Sequence, residues 1–191
     1  MLQFRWHCSV LVTLLLAALS GPAVAAQPRA AAEAGTAAAE LHVAEKINRI
    51  RADRGLAPLR VNGKLRTAAR RQSADLAANN FLAHVDSQGN DLQVRLARAG
   101  ATEWSTIGEN VGQSMGYRNN SDVIIEGWMK SPHHRDNILS ADYDSTGIGA
   151  AVAPDGTLYL TQVFMGSGEN RVKTAECPYK KTRSSRPRKT E

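Results

Sequence analysis

Apolar residues recur at helical spacing through much of the chain, and their positions predict four helices. Stripes of residues three and four apart indicate one face packed on a core. The expected limits are residues 41–50, 65–82, 90–99 and 122–129. We expect Asn90 and Ser121 to cap the third and fourth helices, because such side chains accept backbone N–H groups. Gly55 should end the first helix, and Pro132 should end or kink the fourth.

Extended patterns occupy the remaining ordered segments. Residues 107–115 should form an irregular strand that two glycines interrupt, and residues 147–152 and 159–164 should form two regular strands. The Pro-Asp-Gly sequence at 154–156 predicts a tight turn between those last strands, since Gly156 accepts a positive φ. Helices followed by a terminal antiparallel hairpin indicate the α+β class.

The two ends of the chain differ in composition from its centre. Residues 1–25 have Arg5, an apolar run and the sequence Ala-Val-Ala at 23–25, a pattern typical of a cleaved secretory signal peptide. The apolar run is shorter than a membrane-spanning helix needs, so we expect no transmembrane segment in the mature chain. Residues 26–40 are rich in alanine and are interpreted as a linker that becomes helical near Glu40.

Charge is concentrated at the C-terminus. The chain of 191 residues has a net charge of +6, and residues 171–191 alone carry eight Lys and Arg against two Glu. We therefore expect residues 169–191 to be a disordered basic tail, which binds anionic envelope polymers or has no partner. The remaining domain is close to neutral, so nucleic-acid binding is not expected. Two cysteines, Cys8 and Cys177, exclude a disulfide scaffold.

Candidate chemistry lies in three polar clusters, which contain His84, Glu109 with Asn110, and Ser131 with His134. Imidazole and carboxylate groups suit zinc, so His84, Glu109 and His134 form a candidate site for a weakly bound divalent metal. The same groups could instead form a structural hydrogen-bond network. We expect Ser131 and His134 to share one face of a continuing helical turn. The sequence has none of the common motifs for metalloproteases, serine hydrolases or nucleotide binding.

Taken together, residues 41–166 resemble the CAP superfamily, the SCP domain of cysteine-rich secretory proteins, antigen 5 and plant pathogenesis-related proteins. The resemblance is strongest to its bacterial branch. Five ordered motifs carry it, at residues 48–59, 84–89, 108–111, 128–139 and 159–164. The resemblance implies a three-layer α-β-α sandwich with a mainly antiparallel sheet over residues 41–168, and a wide cleft on one side.

The family's cleft usually contains two histidines and two glutamates. His84 and Glu109 match one of each, whereas Ser131 and Tyr159 stand where the second glutamate and the second histidine are usual. His134 is the candidate replacement. The resemblance therefore implies a secreted or periplasmic protein, monomeric, whose cleft binds a lipid-like or small ligand or a divalent cation. The alternatives are a metal-assisted, peptidase-like hydrolase and a structural envelope protein that acts through its tail.

Overall fold

The computed structural model describes the backbone of residues 26–168, with side chains from residue 35 onward. The predicted signal peptide and the predicted basic tail both lie outside these residues. The elements are α1 (Ala26–Ala52), β1 (Arg60–Val61), α2 (Gly63–Asn79), α3 (Leu92–Arg98), β2 (Thr106–Ser114), α4 (Asn120–Lys130), α5 (Pro132–Leu139), β3 (Ser145–Val152) and β4 (Leu158–Gly166).

Four strands form one mainly antiparallel sheet in the order β1-β3-β4-β2. Strand β1 pairs with β3 in parallel, whereas β3 with β4 and β4 with β2 are antiparallel. The short loop between β3 and β4 contains Gly156 at a φ of 90°, as its turn sequence predicts. Strand β2 is at one edge of the sheet and pairs with β4 on one side only. Loops can therefore lie along its other side.

Helices cover both faces of the sheet. The side chains of β4 alternate between the two faces, so this strand packs against both helical layers. Leu160 and Phe164 pack with Trp128 and the other apolar residues of α1, α4 and α5. Tyr159 and Val163 face the opposite layer, formed by α2 and α3. The predicted three-layer α-β-α sandwich of the α+β class is thereby confirmed.

Helix α2 packs unusually close to β3, and two glycines allow this approach. A Cβ at Gly147 would overlap the backbone of Leu65, and one at Gly149 would overlap the backbone of Ala69. Asn80 ends α2 in the left-handed region, at a φ of 51°. The chain therefore leaves α2 in a sharp turn, and the following loop lies beside strand β2.

The structure corrects several expected limits. Helix α1 spans Ala26–Ala52, so the expected linker is helical well before Glu40, because its many alanines are strong helix formers and outweigh Gly35. The N-cap of α3 is Asp91, one residue after the expected one, and that of α4 is Asn119, two residues before it. Asn90 instead bonds Asp86, and Ser121 is buried inside α4. Strand β1, two residues long, has no pattern from which to predict it.

Candidate functional site

Glu109 is the buried centre of the candidate site. It lies on strand β2, and its side chain is only 4% exposed. One carboxylate oxygen, Oε1, is 3.0 Å from His84 Nδ1, and the other, Oε2, is 2.8 Å from Arg95 Nη1. The contact with Arg95 is an ion pair whose direction departs from that of a hydrogen bond. A buried carboxylate is thus neutralised on one side and holds an imidazole on the other.

His84 lies in the loop between α2 and α3, and its backbone is fixed on both sides. Gln72 Nε2 donates to the carbonyls of Ala83 and Val85, at 3.1 and 3.3 Å. Arg95 Nη2 donates to the carbonyl of His84 at 2.9 Å. The His84 side chain is nevertheless 60% exposed. The fold therefore holds His84 through its backbone and through Nδ1, and it leaves the rest of the ring, with Nε2, towards solvent.

His134 approaches the same place from helix α5. Asn110 Nδ2 donates to the His134 carbonyl at 3.0 Å, and Asn137 Nδ2 donates to Asn110 Oδ1 at 2.9 Å. These two asparagines fasten α5 to strand β2. The His84 and His134 ring centroids are 6.4 Å apart, and the ring planes are tilted by 38°. The two imidazoles thus form a pair that one small group could contact from outside.

The two histidines have opposite proton affinities. The hydrogen bond that His84 Nδ1 donates to Glu109 raises the pKa of His84, against the smaller opposing effect of burial. Burial lowers the pKa of His134, and the nearby His84 and His133 lower it further. His84 therefore keeps its proton to higher pH than His134 does.

A three-ligand metal site does not fit these side chains as they stand. Both oxygens of Glu109 are committed, one to Arg95 and one to His84. Within residues 35–168, no cluster of three or more His, Cys, Asp or Glu side chains is arranged to hold an ion. The predicted trio of His84, Glu109 and His134 is therefore adjacent but is not arranged as ligands around one ion.

Two other predicted site residues lie elsewhere. Tyr159 is fully buried under α2, and its hydroxyl donates to Asn80 Oδ1 at 2.9 Å. Ser131 joins α4 to α5 with an extended backbone, at φ −86° and ψ 122°. The expected helical turn shared by Ser131 and His134 is wrong, because a residue before proline is driven away from the helical region. His133, the residue before His134, is exposed.

Arg95 is the site residue that the sequence analysis missed. It is an arginine in a seven-residue helix, and no motif distinguishes it from the exposed Arg98 that follows. Its burial, at 5% exposure, arises because α3 packs against the first half of α2 while the Arg95 side chain reaches Glu109 on β2. Three exposed apolar residues, Leu82, Val85 and Val94, are neighbours of His84 and Arg95 in the chain.

The fold is that of a known family. A family model, the cysteine-rich secretory protein family (CAP), matches residues 44–164, and the chain belongs to that family. The resemblance inferred from the sequence motifs is thereby confirmed.

Two proteins of Bacillus subtilis (strain 168) are relatives in sequence. YkwD is 29% identical over 136 residues, which are 71% of this chain and 50% of YkwD. YlbC, described as a membrane protein, is 30% identical over 126 residues, which are 66% of this chain and 34% of YlbC. The chain thus spans half or less of the length of these relatives.

Solved structures share the fold at low sequence identity. An outer surface protein of Borrelia burgdorferi superposes with a TM-score of 0.60 at 16% identity, over 67% of this chain and 92% of that one. An extracellular SCP-domain protein of Bacillus anthracis superposes with a TM-score of 0.60 at 24% identity, over 69% and 41%. Over the described part of this chain, no helix is both long and apolar enough to cross a bilayer.

Proposed function

We propose that this chain is an exported, non-enzymatic binding protein whose cleft holds an amphipathic ligand. The polar head of the ligand contacts His84 and His134, and its apolar part lies against the exposed side chains of Leu82, Val85 and Val94. One observation carries the proposal: a buried carboxylate holds His84 by Nδ1, so that Nε2 is presented to solvent beside a second ring.

The chemistry of the pair favours an acidic or hydrogen-bond-accepting head group. The raised pKa of His84 increases the charged fraction of this ring near neutral pH, and the charged ring donates from both nitrogens. A carboxylate or phosphate head can accept that second hydrogen bond. The lowered pKa of His134 favours its neutral ring, which offers the ligand one donor and one acceptor nitrogen.

Fluorescent probes of equal alkyl length test this proposal. A probe with a carboxylate head should bind more tightly than probes with a methyl ester or an amine. His84→Ala should weaken binding of the acid about tenfold, the scale of one charge-assisted hydrogen bond. His133→Ala is the matched control, because His133 is an exposed imidazole near the same site. Equal affinity of the two variants, or equal binding of acid and amine, would contradict the proposal.

The alternative ligand is a zinc ion bound by both imidazoles. A zinc-bound water would also supply the nucleophile that the hydrolase alternative requires. The zinc alternative predicts tight zinc binding that both His84→Ala and His134→Ala abolish. Calorimetric titration with zinc decides between the occupants. Zinc binding that is weak and unaffected by either substitution favours the amphipathic ligand.

Export is part of the proposal and has its own test. The arrangement of charge, apolar run and Ala-Val-Ala in residues 1–25 supports cleavage after Ala25. Intact-mass analysis of protein from the medium or periplasm should give a chain that begins at Ala26. Recovery of the uncleaved chain from the cytosol alone would contradict it.

The basic tail supplies a second contact with the envelope under this proposal. Its net charge of +6 over residues 171–191 should attract anionic glycans or lipid head groups. Binding to isolated cell walls should weaken with salt, since the Debye length falls from ~10 Å at 0.1 M to ~3 Å at 1 M. A chain that ends at Gly168 should lose this binding. Equal binding of the two chains to cell walls would show that the tail does not contribute.

A further inference from the structure

The side-chain amide of Asn137, on helix α5, lies where the supports of the two imidazoles meet. Its Nδ2 donates to the backbone carbonyl of Glu109 at 3.2 Å and to Asn110 Oδ1 at 2.9 Å. Glu109 holds the ring of His84, and Asn110 holds the backbone of His134. An amide NH₂ group has two hydrogens, so both donors of this amide are used on strand β2. Asn137 is thus linked to each imidazole through one intervening residue of that strand.

The direction of this amide is fixed from its other side. Tyr143, which is 7% exposed, donates from its hydroxyl to Asn137 Oδ1 at 3.3 Å. Gly108 makes room for both groups, because a Cβ at that position would overlap the Tyr143 hydroxyl and crowd Asn137 Oδ1. The missing side chain of Gly108 therefore lets α5 and Tyr143 lie against β2 beside Glu109.

The separation of the two rings depends on how α5 is attached, since the two histidines belong to different segments. The ring centroids of His84 and His134 are 6.4 Å apart. Helix α5 has eight residues, of which only Ile138 is buried. Its C-terminal end is held by Arg51, which donates to the Ile138 carbonyl at 2.9 Å. The end that carries His134 is instead attached to β2 by the amides of Asn110 and Asn137.

We propose that Asn137 is the positioning residue of the cleft, and that it sets the separation at which His84 and His134 contact one and the same head group. This inference rests on the proposed function, because it assigns the spacing of that site. A head group as small as a carboxylate reaches both rings only while this separation is kept, since hydrogen bonds weaken steeply with distance and angle. When α5 is displaced, the head group bonds one ring alone.

A double-mutant cycle on the affinity of the full chain for the carboxylate probe tests the shared head group. In the parent chain, His84→Ala and His134→Ala should be non-additive by about fivefold or more, because both rings contact one carboxylate. In Asn137→Leu, which removes the donor at a similar size, this coupling should disappear. Asn48→Leu is the matched control. Asn48 is also half-buried, and it joins α1 to the loop before β1 by two hydrogen bonds with Leu59.

The NMR resonances of the ring protons give a second readout that needs no ligand, because an aromatic ring shifts the resonances of protons close to it. At an alkaline pH, where both rings are neutral, His84→Ala should move the ring resonances of His134 in the parent chain and in Asn48→Leu. In Asn137→Leu it should move them much less. Tyr143→Phe removes only the hydroxyl that orients the amide and should give an intermediate result. This variant carries the test if Asn137→Leu does not fold.

Two outcomes would overturn the proposal. The first is a coupling between His84 and His134 that stays unchanged, in affinity or in ring resonances, in Asn137→Leu or, where that variant does not fold, in Tyr143→Phe. The second is an equal loss of coupling in Asn48→Leu, which would mean a general loosening of the fold. Failure of the probe to bind the parent chain would contradict the proposed function, whereas the ring resonances would still report the spacing. Failure of one proposal is thus distinguishable from failure of the other.

Discussion

Two buried arginines of this protein are held in very different ways. Arg51, 1% exposed, donates to the backbone carbonyls of Ala57, Ile138 and Ser140. Arg95, 5% exposed, pairs with the carboxylate of Glu109 and keeps a buried Nε without a partner among the described residues. The first connects α1 to the end of α5 and to the loop before β1. The second connects the backbone of His84 to the carboxylate of Glu109.

The difference distinguishes a structural arginine from one in a binding region. The guanidinium of Arg51 donates to backbone carbonyls, which any sequence supplies. No titratable side chain is held or shifted in pKa by these bonds. Around Arg95, the Glu109 carboxylate with which it pairs also accepts a hydrogen bond from His84 and thereby raises the pKa of that ring. A polar group left unsatisfied on one side and a shifted pKa on the other are features that concentrate at functional sites.

The largest expected effect is at the carboxylate of the second region. Glu109→Gln leaves the buried Arg95 charge without the carboxylate that neutralises it. Breaking a buried pair by removal of one partner costs about 3–5 kcal/mol, so we expect a loss of this order in the free energy of unfolding. Urea denaturation measures it. A loss below about 1 kcal/mol would mean that solvent already screens Arg95.

Arg51→Met should cost less, about 2–3 kcal/mol, because it removes the charge itself and leaves only carbonyl acceptors unsatisfied. The matched control is Arg54→Met at an exposed position, with an expected change within ~0.5 kcal/mol. Urea denaturation again gives the values. The amphipathic probe should bind the Arg51 variant as it binds the parent protein, whereas Glu109→Gln should weaken it. Weakened probe binding in the Arg51 variant would show that Arg51, like Arg95, contributes to the binding region.

The histidine pair gives a smaller effect whose sign depends on pH. His84 has a raised pKa when folded, so it stabilises the fold below the unfolded pKa of about 6.5, and this is lost as pH rises through the folded pKa. His134 has a lowered pKa when folded, so its stabilising effect is lost as pH falls below about 6.5. His84→Asn should therefore lower stability mainly at acidic pH, and His134→Asn should raise it there relative to the parent.

Melting temperatures between about pH 5 and pH 8, which bracket the ordinary histidine pKa, measure these changes. Nitrogen-detected titration of the rings gives the two pKa values directly, with His84 expected above His134. In Glu109→Gln the pKa of His84 should fall. The same pKa in that variant would show that Glu109 does not set the proton affinity of the ring.

The smallest expected effect is that of His133→Ala. The His133 side chain is exposed, and an exposed substitution usually changes stability by less than ~0.5 kcal/mol. The pKa of His134 should rise slightly, because the repulsion from His133 is removed. If His133→Ala weakened ligand binding as much as His84→Ala does, the ligand would contact His133 as well, and the proposed site would be incorrect.

Sequence patterns sufficed for the elements that bury one continuous face. Helix α2 and strands β3 and β4 lie close to their expected limits, because their apolar spacing and their turn at Gly156 are local properties. Exact helix ends were less predictable. Asp91 and Asn119 cap α3 and α4, although their neighbours Asn90 and Ser121 are equally good capping types.

The motifs of the sequence alone determined the family and the members of the imidazole pair, since His84, Glu109 and His134 lie in segments whose order is specific to the CAP fold. Only the tertiary structure decided how these groups are used. The position of α3 buries Arg95 against Glu109, so that the carboxylate contacts an arginine as well as an imidazole. Packing places Tyr159 under α2, whereas Pro132 turns Ser131 out of the helix. Burial and ion pairing depend on contacts between segments far apart in the chain, and no local pattern of residues encodes them.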